Sequence, residues 1–177
     1  MMITIPPNAR VCVVGNATSI MAKKNGHLID DFDIVVRINR GVIRDAASQG
    51  SKTTILGYGC DLTEGEIEHF GKPKLIEFYR LNHKHRHNIP EEYRETIDYY
   101  PAERCAALQK ELGARPSTGT MAIELMLSLR PKEVSVFGFD YKKSRTFYHT
   151  GSYEHMGPHN WIAESEWAKT NVTGMIY

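Results

Sequence analysis

Apolar positions along this chain fall into two kinds of pattern. Short unbroken runs rich in β-branched residues read as strands buried on both faces: Val11 to Val14, Ile34 to Ile38, and Val134 to Phe139 with Gly138 inside it. Thr53 to Leu56 and Leu75 to Tyr79 are shorter candidates of the same kind. Between them the spacing turns helical. After Pro116-Ser117, the residues Met121, Ala122, Leu125, Met126 and Leu129 mark one helical face, with Ser117 or Thr118 as the cap and Pro131 as the stop. Tyr93 to Leu112 predicts an irregular stretch and then a helix from about Pro101. His159 to Thr170 predicts a C-terminal helix carrying Trp161 and Trp167. Strands alternating with helical segments predict an α/β fold, a mainly parallel sheet flanked by helices, in a single domain over residues 1–177.

Composition narrows the class without naming a function. The 177 residues suffice for one real core, and 41% hydrophobic with 24% charged residues is ordinary for a globular chain. A formal net charge of +1 gives no broad electrostatic reason to expect nucleic acid or a membrane, so an anionic ligand must be held locally. Cys12, Cys60 and Cys105, odd in number and widely spaced, predict reduced thiols in a cytoplasmic protein and neither a disulfide framework nor a zinc site. The first ten residues carry two prolines and no long apolar run, and no stretch approaches a membrane span, so neither signal peptide nor anchor is expected.

In a parallel α/β sheet, ligands bind beyond the carboxyl ends of the strands. That rule selects Gly15 to Ser19, Asn39-Arg40-Gly41 and Gly138 to Tyr141, with the helix start at Ser117 as a fourth place. Pro116-Ser117-Thr118-Gly119 offers hydroxyls, a glycine and unpaired N–H groups, a cradle for phosphate or carboxylate, although taken alone an ordinary cap is the better reading. Gly15-Asn16 reads as a binding turn or a simple strand-ending turn; neither a G-x-G-x-x-G pattern nor a P-loop is present. Asp30-Asp31-Phe32-Asp33 precedes a strand, on the wrong side for a metal site, and reads as a solvated acidic turn. His83, His85 and His87 alternate with Lys84 and Arg86, which oppose a cation, so an exposed basic loop is the better reading. His159 stands at a helix start with Glu164 five residues on, either a base at a cleft edge or a surface histidine.

Together these residues resemble the sialyltransferase family that includes the animal Golgi enzymes. Cys12-Val13-Val14-Gly15-Asn16, then Ile29-Asp30, then Asp33 through Asn39 look like its long sialylmotif. Pro116-Ser117-Thr118-Gly119 through Glu133 to Phe139 are similar to the short sialylmotif, and His159 with Glu164 to the very small one. His149 lies where the family usually has another histidine. The motifs occur in the family's order from residue 12 to residue 164.

The resemblance implies a Rossmann-like domain, a sialyltransferase-type GT-A variant. It implies a metal-independent, inverting transfer from CMP-sialic acid to a glycan acceptor, with no cofactor beyond the donor. Asn16 and Asn39 match the asparagines that hold the nucleotide's phosphate and ribose. Ser117, Thr118 and Gly119 match the segment lining the cytidine and donor-sugar pocket, with Gly15 and Gly138 beside it. His159 matches the general base, His149 a group that stabilises the departing phosphate, and Glu164 a supporting carboxylate that orients helix or substrate. Two departures stand out. Arg130 occupies the neighbourhood of the family's second cysteine, leaving Cys12 without an evident partner, and no membrane anchor is expected; both fit a bacterial or viral cytoplasmic protein. Tyr148-His149-Thr150-Gly151 also lacks the aromatic pair that follows this histidine in the family. Two other readings are a transferase for another CMP-linked sugar such as Kdo and a CMP-binding protein without catalysis.

Overall fold

The computed structural model describes residues 3–78, 87–148 and 158–176. Six strands form one wholly parallel sheet: β1 Arg10–Val14, β2 Ile34–Ile38, β3 Ile55–Tyr58, β4 Lys74–Glu77, β5 Asp98–Tyr99 and β6 Glu133–Phe137. The spatial order is β5-β4-β3-β2-β1-β6. From β1 the chain steps outward strand by strand to β5, then returns to place β6 on the other flank of β1. The strand order therefore reverses between β1 and β6, and a crevice opens at their carboxyl ends.

Alternation along β1 and β2 explains why they read as continuous apolar runs. Val11, Val13, Ile34, Val36 and Ile38 face a core shared with three helices: α4 Ala102–Leu112, α5 Thr118–Ser128 and α6 Trp161–Asn171. Cys12, Val14 and Val35 face the opposite layer, against Ile29, Phe32 and Phe137. That layer holds the short helices α1 Gly26–Asp30, α2 Ala46–Gln49 and α3 Glu64–His69. Each large side chain buried in this way contributes roughly 1.5–3 kcal/mol. Helix α5 is the central packing element: Met121, Ala122, Ile123, Leu125 and Met126 are all buried. It starts at Ser117, whose hydroxyl accepts from Thr120 N, and ends before Pro131, with Leu129 as C-cap and Arg130 at a φ of 55°.

Arg37 is the exception within the buried strands. Its guanidinium is 2% exposed and donates to the carbonyls of Lys52 and Gln49 and to Thr53 Oγ1. Burial brings its pKa down to about 10. The chain after α6 covers the outer edge of β6: Gly174 N donates to Val134 O, Val136 N to Met175 O, and Thr173 Oγ1 accepts from Val134 N. A covered edge cannot template pairing with another chain.

Several sequence expectations shift. Strand β3 begins two residues later than Thr53, because Thr54 Oγ1 turns to accept from Val35 N. Strand β6 stops before Gly138, whose φ of 69° is not an extended conformation. The C-terminal helix begins at Trp161, capped by the Asn160 side chain, so His159 lies ahead of it. Asp30 is more than a solvated turn residue, since its carboxylate accepts from the backbone N–H groups of Ser51 and Lys52. Among the described residues, no helix is long and apolar enough to cross a membrane.

Candidate active site

Beyond the carboxyl edge of the sheet lies a cavity of about 410 Å³. Of the residues selected from sequence, Gly15, Asn16, Asn39, Ser117, Thr118, Gly119, Gly138, His159 and Glu164 all line it. His149 lies outside the described residues, as do His83 and His85; His87 faces Asp61 at 3.7 Å. Among the described residues, no group of three or more His, Cys, Asp or Glu side chains could hold a metal ion.

The first wall is laced together by two asparagines at strand ends. Asn16 follows β1, and its Nδ2 donates to Ile38 O at the end of β2, 2.8 Å away. Asn39 follows β2 with a φ of 54°, a left-handed conformation that asparagine tolerates. Its N–H donates to Gly57 O, and its Oδ1 accepts from Gly59 N at 2.8 Å. Each asparagine thus ties its own strand to the next one. Tyr148 completes this wall, with its hydroxyl hydrogen-bonded to both asparagines; burial pushes the phenol up to about 12, so at neutral pH it keeps its proton.

The second wall is assembled from the starts of α5 and α6. Glu164, 1% exposed, reaches across to α5 and takes three hydrogen bonds: Ser117 N at 2.7 Å, Ser117 Oγ at 2.6 Å and Thr120 Oγ1 at 2.6 Å. His159 Nδ1 lies 2.7 Å from Arg115 O. A carbonyl can only accept, so this bond places the proton on Nδ1 and leaves Nε2 with its lone pair when the ring is neutral. Nδ1 also stands 4.0 Å from Glu164 Oε1. Residues five apart within one helix do not face each other, but His159 precedes α6 and is not bound by helical geometry.

The walls meet over β1 and β6. A Cβ on Gly138 would lie 2.9 Å from Gly15 O, and one on Gly119 would lie 2.5 Å from the Phe139 ring. These glycines let the α5 start and both strand ends close on one another. The loop after β6 then folds back over Asn16: Phe147 N donates to Asn16 O, and Thr146 pairs with Ala17 in an antiparallel bridge.

Sequence reasoning passed over Tyr148, Trp161 and Lys142. Tyr148 and Lys142 sit on this returning loop, and Trp161 opens α6; all three line the cavity. The only signal in the chain was the aromatic density after Gly138, which does not say which rings turn inward.

Comparison with known proteins agrees with the first of the motifs. Residues 6–61, which carry β1, β2 and both asparagines, match the family model of glycosyltransferase family 29 (sialyltransferase). Solved structures extend the likeness of fold to nearly the whole chain. A mammalian sialyltransferase in complex with Gal-beta-1-3GalNAc-ortho-nitrophenol aligns with 96% of this chain and 69% of its own, at 21% identity and a TM-score of 0.68. The sialyltransferase CstII from Campylobacter jejuni in complex with cytidine-5'-monophosphate aligns with 96% of this chain and 79% of its own, at 18% identity and a TM-score of 0.62. The Rossmann-like α/β fold is thus that of sialyltransferases. A search among curated proteins gives no match.

Proposed function

We propose that this chain transfers sialic acid, or a related acidic sugar, from a CMP donor to a glycan hydroxyl with inversion at the anomeric carbon. The observation that carries this reading is a single cavity holding a fixed-tautomer histidine on one wall and a cluster of neutral hydrogen-bond donors on the other. The family match over residues 6–61 and the CMP complex of the bacterial neighbour support the donor assignment.

The chemistry follows from the groups present. His159 Nε2 takes the proton of the acceptor hydroxyl while that oxygen attacks the anomeric carbon. The bond from that carbon to the phosphate oxygen breaks, and CMP departs with the electron pair. The charge growing on the phosphate is met by the Tyr148 hydroxyl, the asparagine amides and the N–H groups at the start of α5, without a metal ion. A positioned histidine base contributes roughly 10²–10⁴ in rate. Glu164, fully engaged by Ser117 and Thr120, orients the α5 start and does not move protons. His149 remains a candidate for the departing phosphate.

Calorimetric titration with CMP and with CMP-sialic acid tests the reading, using wild type beside Asn39→Ala and His159→Ala. Wild type and His159→Ala should bind CMP, and Asn39→Ala should bind it weakly. Absence of binding by wild type at millimolar CMP would overturn the proposal. Binding without transfer to any glycan would favour a CMP-binding protein that has lost catalysis, and preference for CMP-Kdo would change the donor.

A further inference from the structure

Resting on the reading above, we infer that Lys142 and Trp161 form an acceptor subsite that selects glycans bearing a carboxylate near the hydroxyl to be glycosylated.

Three rings and charges stand in sequence along one side of the cavity. The His159 imidazole lies 4.9 Å from the Trp161 ring, centroid to centroid. The Lys142 ammonium lies 5.4 Å from the centroid of the same indole. Trp161 is therefore the shared neighbour of the base and the ammonium. A sugar that delivers its hydroxyl to His159 Nε2 comes close to the indole, whose apolar face suits the C–H face of a pyranose. Whatever is attached beyond that sugar then comes within reach of Lys142.

The local backbone is built to hold the ammonium there. Tyr141 and Lys142 both have left-handed conformations, with φ of 53° and 68°, uncommon for two consecutive residues with side chains. Lys142 Nζ donates to Thr146 Oγ1 at 2.7 Å, which ties the side chain back to its own loop. Burial lowers the lysine pKa, so the ammonium has given up part of its hydration, and a carboxylate would restore what it lost.

Among the described residues, the other charged side chains that line the cavity have partners of their own. Glu164 is held by Ser117 and Thr120. Asp140, the carboxylate that acts on Lys142 through space, accepts from Ser19 Oγ and Ser144 N. Arg40 binds Asp61 O and pairs with Glu66. The nucleotide-facing groups Asn16, Asn39 and Gly59 come from the ends of β1, β2 and β3, whereas Lys142 stands with the base. Through Trp161 the ammonium shares its neighbourhood with His159, and that proximity points it to the acceptor.

The test measures binding of lactose and of 3'-sialyllactose to the CMP-saturated protein by ligand-observed NMR, for wild type, Lys142→Met and Lys142→Arg. Wild type should bind the sialylated trisaccharide at least about tenfold more tightly than lactose. Lys142→Met should erase that preference and leave the Kd for CMP within about twofold, while Lys142→Arg should retain most of the preference. Equal affinity of wild type for the two sugars, or binding of neither, would overturn the inference. So would a Lys142→Met change that weakens CMP-sialic acid binding instead, since the ammonium would then serve the donor's carboxylate. Failure of wild type to bind CMP at all would fall on the donor reading, not on this one.

Discussion

The two walls of the cavity are made by different means. In the strand-built wall, proposed to hold the nucleotide, Asn16 and Asn39 sit at strand ends whose positions are set by the parallel register of β1, β2 and β3. Their amides bond to main-chain groups one strand away, so the wall is an extension of the sheet. In the helix-built wall no strand register operates. Ser117 and His159 belong to segments 42 residues apart in sequence, and one buried carboxylate, Glu164, fastens the two helix starts together. A wall built on sheet register should tolerate side-chain loss, because many backbone hydrogen bonds share the load. A wall built on one carboxylate should not.

The largest effect is expected where the helix-built wall is proposed to carry the chemistry alone. His159→Ala should lower transfer by roughly 10²–10⁴, with CMP affinity and melting temperature nearly unchanged. A parallel loss of CMP affinity, read by calorimetry, would mean the two walls are not separable. Glu164→Ala comes next. It strips three hydrogen bonds from buried donors at the start of α5, and urea denaturation should show a loss of about 3 kcal/mol or more. Glu164→Gln should recover part of it, because an amide oxygen can still accept from Ser117. If Glu164→Ala were no less stable than Asn39→Ala, the contrast between the walls would collapse.

Gly138→Ala probes the joint between the walls. The left-handed φ of 69° and the 2.9 Å approach to Gly15 O should together cost about 1–3 kcal/mol and weaken CMP binding by shifting Phe139. Asp30→Asn is the control away from the cavity, with the smallest effect. Burial opposes the Asp30 charge, but bonds from Lys52 N, Ser51 N and Ser51 Oγ win and hold its pKa below the ordinary carboxylate value. A carboxyl lowered on folding stabilises the protein above the unfolded pKa, and that contribution is lost as pH falls through the folded value. The deficit of Asp30→Asn should therefore be constant from pH 7 to about 5 and vanish in stronger acid. Its size should be on the order of 1 kcal/mol, reduced by solvent around a partly exposed group.

The strands and the packed helix were legible for a simple reason. Val11 to Val14 and Ile34 to Ile38 are buried on both faces, so their composition alone marks them, and α5 is long enough for its period to show. Strand β5 is two residues long, and α1, α2 and α3 run four to six residues, too short for any period to emerge. Asn16, Asn39, Ser117 and His159 could be singled out because strand ends and helix starts are where unpaired backbone groups gather.

By itself the sequence determined the α/β class, the strand ends that carry the asparagines, and the helix that opens at Ser117. Those are properties of local composition and spacing. That Glu164 clamps α5, that Tyr148 spans both asparagines, and that Lys142 shares Trp161 with His159 were decided by tertiary structure alone. Each depends on segments distant in the chain meeting at one edge of the sheet. Hydrophobic burial fixes that meeting, and no local pattern records which polar side chains it will bring face to face.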